Sequence, residues 1–353
     1  TVHSTGPRNS IMGNWSGFTG TITHNGTKTG SYDPSLTFAN GYGIEKATLN
    51  NNQYFDNSGK NVKIGALNGT ATMAGAGMYT IGGNNKDCKF EGIFKGSKLT
   101  KVGTGALSLT TLQSSIATSD VYVNGGVLSL GNAKYEENFF GLNTIRCSGE
   151  GTTLMGRTKV ADVYIENGAS LMPGWYTDAE RYGNMMLSNV YIYEGSSLDL
   201  LLRNTRGKII SLSNITVSRN FIIKGDVNVV VGVNFTPKAD VEFTLWTCSS
   251  FEKAASTKIN LPELPEGFEW DTTDLWNATG ILRIKASNTA VEHIAYDAIV
   301  SCEVYNLLGV KVAEFSAARY EAISKVRSEV NERGIFVVKM SADGITESVK
   351  IVK

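Results

Sequence analysis

The sequence has few of the residues that mark metal, redox or membrane proteins. Only four of its 353 residues are cysteine, namely Cys88, Cys147, Cys248 and Cys302, and they lie too far apart for a zinc or redox motif. We therefore expect buried free thiols. The chain contains no run of 18 apolar residues, so we predict no membrane span.

Charge is also scarce, and its two signs balance. Charged residues make up 19% of the chain, below the roughly 25% of ordinary globular proteins. Lys and Arg number 33, as do Asp and Glu. Proteins that bind nucleic acid usually carry a clearly basic balance or patch. The composition therefore argues against a nucleic-acid partner.

Glycine is abundant, with 38 residues, while proline occurs only six times. Short bursts of alternating apolar and polar residues end at Gly or Asn. The clearest repeat places Val-Tyr-Val or Val-Tyr-Ile at 121–123, 163–165 and 190–192, each followed by a turn and leucines; a weaker copy begins at Ile215, before Phe221. These positions indicate one unit per roughly 20–27 residues, a period typical of solenoids.

Such a unit cannot bury its own apolar side chains, whereas stacked units form a continuous interior. We therefore predict a β-solenoid over about 11–286, with Val121, Val163 and Val190 on one wall. The competing interpretation, a large antiparallel sandwich, predicts turns every 8–12 residues and fits the longer spacing less well.

Several segments resemble autotransporter-associated β-strand repeats. They read IGALNG at 64–69, IGGNN at 81–85, FEG at 90–92 and, most specifically, LTKVGTGALSL at 99–109, which 121–130 completes. The segment WSGFTGT at 15–21 resembles an earlier coil, and 243–282 is similar to the closing coil of such proteins. Residues 135–235 depart from the consensus. The resemblance implies an all-β fold, a right-handed parallel β-helix over 1–286, on a secreted or surface protein, and it implies no activity.

The pattern changes beyond Ala286. Alternating apolar residues flank turns at Leu308-Gly309 and Asp343-Gly344, which predicts hairpins and a small C-terminal β-sandwich over 287–353. The charged segment 320–332 fits a short helix by its pattern.

YNLLGVKV at 305–312, RGIFVVK at 333–339 and KIVK at 350–353 resemble the C-terminal sorting domain of the type IX secretion system. This resemblance implies a Bacteroidetes-type bacterium, a location outside the outer membrane, and the secretion machinery as a partner. It favours a strand over 320–332, and both interpretations of that segment stay open.

No residue pattern defines a catalytic or metal centre. His3, His24 and His293 lie far apart, and the motifs of serine hydrolases, zinc proteases and Walker loops are absent. The segment 56–61 resembles a calcium loop but lacks the bidentate Glu at its twelfth position, so a polar turn is the better interpretation. We predict no catalytic residue, no metal and no cofactor.

Two carboxylates keep an enzymatic alternative open. Parallel β-helices also serve polysaccharide lyases and hydrolases, and a glycosidase needs two carboxylates roughly 5–10 Å apart. Glu166 and Glu194 occupy nearly equivalent positions in two copies of the repeat. Solvated outer positions are the simpler interpretation of both.

A loop between Leu171 and Met185 interrupts the repeat and is the predicted carbohydrate-binding surface. Exposed aromatic rings beside charged groups stack on sugars and hydrogen-bond to them. The candidate residues are Trp175, Tyr176, Asp178, Arg181 and Tyr182. Alternatively, Trp175 and Tyr182 pack over a coil edge. A second patch with the same alternative comprises Tyr135, Phe139 and Phe140.

The sequence thus predicts a structural or adhesive β-helix, secreted or attached to the cell surface, with a polysaccharide or a host or cell-surface glycan as partner. The alternative is a carbohydrate-active enzyme, a lyase or hydrolase, or a carbohydrate-binding module on the same scaffold. The chain starts at Thr1 with no signal segment, so we expect a processed product or a piece of a larger protein.

Overall fold

The computed structural model describes residues 1–6, 8–26, 35–109, 120–131, 137–138, 144–174, 183–205, 208–232, 235–287, 294–295 and 297–353. The chain forms two compact units, Thr1–Lys285 and Ala286–Lys353. Each unit has a hydrophobic core of its own. No helix in the described part of the chain is long and apolar enough to cross a membrane.

The first unit is a parallel β-helix, which confirms the predicted all-β fold class. Its coils contribute strands to three parallel ladders. Ladder 1 contains the strands Met78–Ile81, Lys98–Lys101, Asp120–Val123, Thr144–Ser148, Asp162–Glu166 and Asn189–Ile192. Ladder 2 contains Val2–Ser4, Thr21–His24, Cys88–Phe90, Ala106–Leu109, Val127–Leu130, Thr153–Gly156, Ser170–Pro173, Ser197–Thr205, Asp226–Val231 and Ile259–Asn260.

Ladder 3 has two parts. Near the N-terminus it contains Arg8–Ile11, Ser35–Phe38, Tyr54–Asp56 and Met73–Ala74, and further along Glu137–Asn138, Thr158–Lys159 and Asn184–Leu187. Four longer strands turn a corner and join two ladders. Ile44–Asn51 and Val62–Gly69 join ladders 1 and 2, whereas Asn214–Ile223 and Trp246–Lys253 join ladders 3 and 1.

The stacking register forms the interior of this helix. Val121 pairs with Ile145, Ile145 with Val163, Val163 with Val190, and Val190 with Phe221. None of these side chains is more than 1% exposed. The predicted wall of Val121, Val163 and Val190 is therefore confirmed.

Two details of the predicted repeat are wrong. The weaker copy that begins at Ile215 belongs to ladder 3, where Ile215 pairs with Met185, and Phe221 continues ladder 1 in its place. A further ladder 1 strand, with Ile145 and Cys147 inward, was missed because Arg146 stands where the repeat has Tyr.

The corners of the coils use residues that accept a positive φ, as the Gly and Asn pattern predicts. Asn167 and Gly168 have φ of 55° and 84° between ladders 1 and 2. Gly126 and Gly195 occupy comparable turns at 63° and 77°. Most side chains are disfavoured at positive φ, whereas Gly has no Cβ atom and Asn tolerates this conformation, which explains the residue types at the corners.

The ends of the helix differ from the expected bounds. The parallel ladders already begin at Val2 and end at Asn260. The closing segment is a separate three-stranded sheet of Val241–Thr244, Ile281–Ala286 and Phe268–Asp271. Within the helix, Lys208–Leu212 pairs antiparallel with the end of Ser197–Thr205 and forms a hairpin.

The second unit is a four-stranded antiparallel sheet with one helix. The strands follow the order Lys311–Ala318, Ile299–Asn306, Ile335–Ala342 and Ile345–Val352. The helix spans Arg319–Glu329 and buries Ala322 and Val326 against the sheet. The antiparallel hairpins are confirmed, but a helix occupies the segment where the family resemblance favoured a strand. Among the described residues, this helix packs against the four-stranded antiparallel sheet.

All four cysteines are free thiols, as predicted. Cys88, Cys147 and Cys302 are buried, and Cys248 is partly buried. Burial raises the pKa of Cys147 to about 12, because the interior disfavours the thiolate. The cysteines therefore act as small apolar core residues.

Candidate functional site

The outer surface of ladder 1 carries an ordered row of side chains. Successive side chains of a strand point to opposite faces, so residues between the buried valines and isoleucines point outward. The register places one outward residue per coil directly above the next. This outer column consists of Tyr122, Arg146, Tyr164, Tyr191, Ile222 and Glu252.

The centre of the outer column is a continuous stack. The Tyr164 and Tyr191 rings are nearly parallel, at an angle of 7°, with their centroids 4.8 Å apart. The Arg146 guanidinium lies 4.2 Å from the centroid of the Tyr164 ring, a cation–π contact. Arg146 Nη1 also donates to Glu166 Oε1 at 2.8 Å. The stack is therefore held rigidly before any ligand binds.

Partial burial raises the pKa of the Tyr164 phenol, and neighbouring Tyr191 and Asp162 act in the same direction. Arg146 opposes the shift but does not reverse it. The hydroxyl therefore stays protonated at neutral pH, where it donates and accepts hydrogen bonds.

A row of amides supports one side of this surface. Asn189 Nδ2 donates to Asp162 Oδ1 at 2.8 Å, and Asn220 Nδ2 donates to Asn189 Oδ1 at 2.9 Å. Each bond joins two successive coils. The hydrogen bonds thus fix the register of the coils that carry Tyr164 and Tyr191.

A groove of about 240 Å³ lies where the tyrosine stack ends. Tyr193 is 39% exposed, and Lys224 and Glu252 are exposed. Among the described residues, Lys224 and Glu252 form no ion pair with each other or with another side chain. The groove is lined by Tyr191, Ile192, Tyr193, Ile222, Lys224 and Glu252.

The residues predicted to bind carbohydrate lie outside the described part of the chain. They are Trp175, Tyr176, Asp178, Arg181 and Tyr182, and the patch of Tyr135, Phe139 and Phe140 lies outside it as well. The carbohydrate-binding role of the loop stays a prediction.

The structure places Glu166 and Glu194 in different surroundings. Glu166 is paired with Arg146, whereas Glu194 is exposed in a turn. The ladder pairs Ile165 with Ile192, so Tyr193, rather than Glu194, follows at the level of Glu166. The two carboxylates are therefore offset by one residue along the strand. Their catalytic role as a pair stays a prediction.

The two histidines in the described part of the chain have different surroundings. His3 is exposed, His24 is buried and His293 lies outside the described residues. The His24 ring nitrogens lie 3.1 Å from Ser4 Oγ and 3.3 Å from the Tyr54 carbonyl oxygen. Burial lowers the pKa of His24, which favours the neutral ring as a core residue.

Segment 56–61 is a polar turn. Asp56 Oδ1 accepts from the Ser58 amide at 2.6 Å, and Asn57 Oδ1 accepts from the Gly59 amide at 3.0 Å. In the part of the chain that the structure describes, no three His, Cys, Asp or Glu side chains are grouped to hold a metal.

The tyrosine stack was missed at the sequence level, although the middle Tyr of the Val-Tyr-Ile repeat indicated it. Period 2 already predicts that this Tyr points outward, and stacked repeats predict that its copies are neighbours. No protein-family model matches the chain, and no curated protein matches it. The fold and site define a parallel β-helix protein with an aromatic outer column.

Proposed function

We propose that this protein is a non-enzymatic adhesive β-helix that binds a polysaccharide through the outer column of ladder 1. The observation that carries the proposal is the parallel stack of Tyr164 and Tyr191, with centroids 4.8 Å apart, on the outer surface of the helix.

The chemistry of the column suits sugars. The faces of the Tyr164 ring are covered by Arg146 and Tyr191, so the column offers a sugar its ring edges and its phenol hydroxyls, which hydrogen-bond to the sugar hydroxyls. The Arg146 contact and the ladder fix the rings in advance, so binding costs little side-chain entropy. Coils repeat every ~4.8 Å, so the helix presents such groups in a row that suits a polymer better than a small solute.

An adhesive role accounts for the side chains better than catalysis does. A retaining or inverting glycosidase requires two carboxylates facing one sugar bond. Glu166 instead accepts a hydrogen bond from Arg146. On the next coil of ladder 1 the residue opposite Glu166 is Tyr193, and Glu194 lies one residue further along the strand. These contacts suit a binding surface, in which charged groups orient the aromatic rings.

The C-terminal unit supplies the export step of the proposal. Its resemblance to type IX sorting domains supports the delivery of the β-helix to the outside of the outer membrane. The antiparallel sheet with its own core is the kind of unit that serves as an address separate from the binding surface.

The test measures binding of the whole chain to soluble polysaccharides by affinity electrophoresis and isothermal titration calorimetry. Tyr164→Ala and Tyr191→Ala should each weaken binding at least about tenfold, because central aromatic residues dominate binding energy. Tyr42→Ala is the control, since Tyr42 is 56% exposed but lies outside the outer column.

Three results would contradict the proposal. Binding unaffected by both column variants, or no binding to any polysaccharide, would remove the adhesive surface. Release of new reducing or unsaturated ends by the purified chain would show that the protein is an enzyme.

A further inference from the structure

We propose that the groove at the end of the tyrosine stack binds one uncharged pyranose ring, whose neighbouring hydroxyls bridge Lys224 and Glu252. This inference rests on the proposed polysaccharide binding and names the chemical class of the sugar. The class follows from three features of the groove: its size, its apolar lining and its two charged groups.

The size of the groove matches a single ring. Its volume of about 240 Å³ lies below the roughly 300–1,000 Å³ of sites for drug-sized ligands. Tyr191 and Tyr193 provide aromatic surface, and Ile222 continues the apolar surface on the next coil. A pyranose ring in the groove therefore contacts Tyr191, Tyr193 and Ile222 together, since Ile222 follows Tyr191 in the outer column.

The charges of the groove differ from those beside the stack. Arg146 and Glu166 neutralise each other at 2.8 Å. Lys224 and Glu252 lie on successive coils and both line the groove, yet neither has an ionic partner among the described residues. As far as the described residues go, the groove therefore offers a ligand the Lys224 ammonium and the Glu252 carboxylate without a competing ion pair.

The backbone amides of Tyr193 and Lys224 are already hydrogen-bonded within the β-helix, so side chains must recognise a ligand in this groove. The Tyr193 amide donates to the Ile165 carbonyl oxygen at 2.9 Å, and the Lys224 amide donates to the Ile192 carbonyl oxygen at 2.7 Å. These amides are therefore used by the ladder, and the charged groups are the strong partners that remain for a sugar.

A pair of opposite charges favours an uncharged sugar. One hydroxyl donates to the Glu252 carboxylate while its neighbour accepts from the Lys224 ammonium, so both charge-assisted hydrogen bonds form. The carboxylate of a uronic acid is attracted by Lys224 but repelled by Glu252. The ammonium of an amino sugar is repelled by Lys224. An uncharged ring gains from both groups and is repelled by neither, whereas a ring with a single charge is repelled by one of them.

The experiment titrates the whole chain with two sets of hexasaccharides. The uncharged set contains glucose, mannose or galactose units, and the uronate set contains galacturonate or mannuronate units. We expect the wild type to prefer a member of the uncharged set. Glu252→Gln and Lys224→Met should each weaken that binding by a factor of about ten, because each removes a charged partner.

Glu252→Gln should change the affinity for the two sets of hexasaccharides in opposite directions. Loss of the carboxylate should strengthen uronate binding while it weakens binding of the uncharged sugar, and no misfolded variant would do both. Glu150→Gln is the matched control, because Glu150 is exposed but does not line the groove.

The outcomes separate this inference from the proposed function. Wild-type preference for uronates would overturn the inference and leave polysaccharide binding intact. Unchanged binding by both groove variants, with weaker binding by Tyr164→Ala, would also overturn it alone. No binding to either set or to longer polysaccharides would overturn both.

Discussion

Lys101 places an ammonium group inside the β-helix. It occupies an inward position of ladder 1 and is only 1% exposed. Its Nζ donates to the carbonyl oxygens of Val102 at 2.7 Å, Gly103 at 3.0 Å and Gly125 at 2.9 Å. These oxygens belong to the turns of two successive coils, so the side chain joins both turns in the way that a capping group would.

Burial lowers the pKa of Lys101 from 10.5 to about 8. Between these values the folded chain has released a proton that the unfolded chain still holds. Stability therefore rises with pH across this window, is fully gained above pH 10.5 and is lost below pH 8. We expect the free energy of unfolding of the wild type, minus that of Lys101→Met, to increase by roughly 1–3 kcal/mol from pH 7.5 to pH 10.5.

Urea unfolding at several pH values measures this difference. Lys98→Met is the control, because Lys98 lies exposed on the same strand and its replacement removes no buried ammonium. A pH-independent difference between wild type and Lys101→Met would show that Lys101 titrates alike in the folded and unfolded chains.

The elements of the helix depend on corners where neighbouring backbones nearly touch. Gly82 ends a ladder 1 strand with φ of +119°, and a Cβ atom there would overlap the Val102 carbonyl oxygen of the next coil. Gly195 has φ of +77°, but no atom lies within 4 Å of the position of its Cβ. An alanine at Gly195 would thus suffer backbone strain alone, whereas an alanine at Gly82 would suffer backbone strain and steric overlap.

Gly82→Ala should therefore destabilise the protein more than Gly195→Ala. We expect a loss of about 1–2 kcal/mol for Gly195→Ala from the unfavourable φ alone. Overlap with backbone should add roughly 1–3 kcal/mol for Gly82→Ala. Urea midpoints of the two variants test this order, and equal losses would mean that the coils move apart easily at this corner.

Sequence periodicity was sufficient to predict the coils of the β-helix, but it did not predict every strand and helix. Alternation and Gly-Asn corners predicted strands and the buried wall of Val121, Val163 and Val190, because both follow from local geometry. The strand of Ile145 was missed because Arg146 stands where the other copies of the repeat have Tyr. The helix Arg319–Glu329 was left open since only Ala322 and Val326, four residues apart, mark its buried face.

The candidate site also has features that the sequence could predict and features that it could not. The outward direction of Tyr164 and Tyr191 could be predicted from period 2. The contact of Arg146 with Tyr164 and the groove around Lys224 could not, because they require the pairing of coils whose sequences do not resemble each other.

At the scale of the whole molecule, the two units have separate cores. The second core contains Val300, Cys302 and Val304 of one strand and Ala322 and Val326 of the helix. In the first unit, Trp246 is completely buried beside Phe251 and Trp276, with ring centroids 5.5 and 5.9 Å away. Large aromatic side chains thus cover the last coils with residues of the first unit itself.

A chain that ends at Ala286 should therefore keep the β-helix and lose only export. The closing sheet of the first unit pairs Val241–Thr244 with Ile281–Ala286, so this truncation retains every strand of that sheet. Exposed strand edges promote aggregation, and the closing sheet remains to protect the last coil.

We expect a cooperative unfolding transition and a β-sheet circular dichroism spectrum from the truncated chain in vitro. In the native host we expect it to stay inside the cell envelope, because the truncated chain lacks the unit that we propose as its export signal. An unfolded truncation would make the C-terminal unit a structural cap, whereas surface display of a folded truncation would remove its role as an export signal.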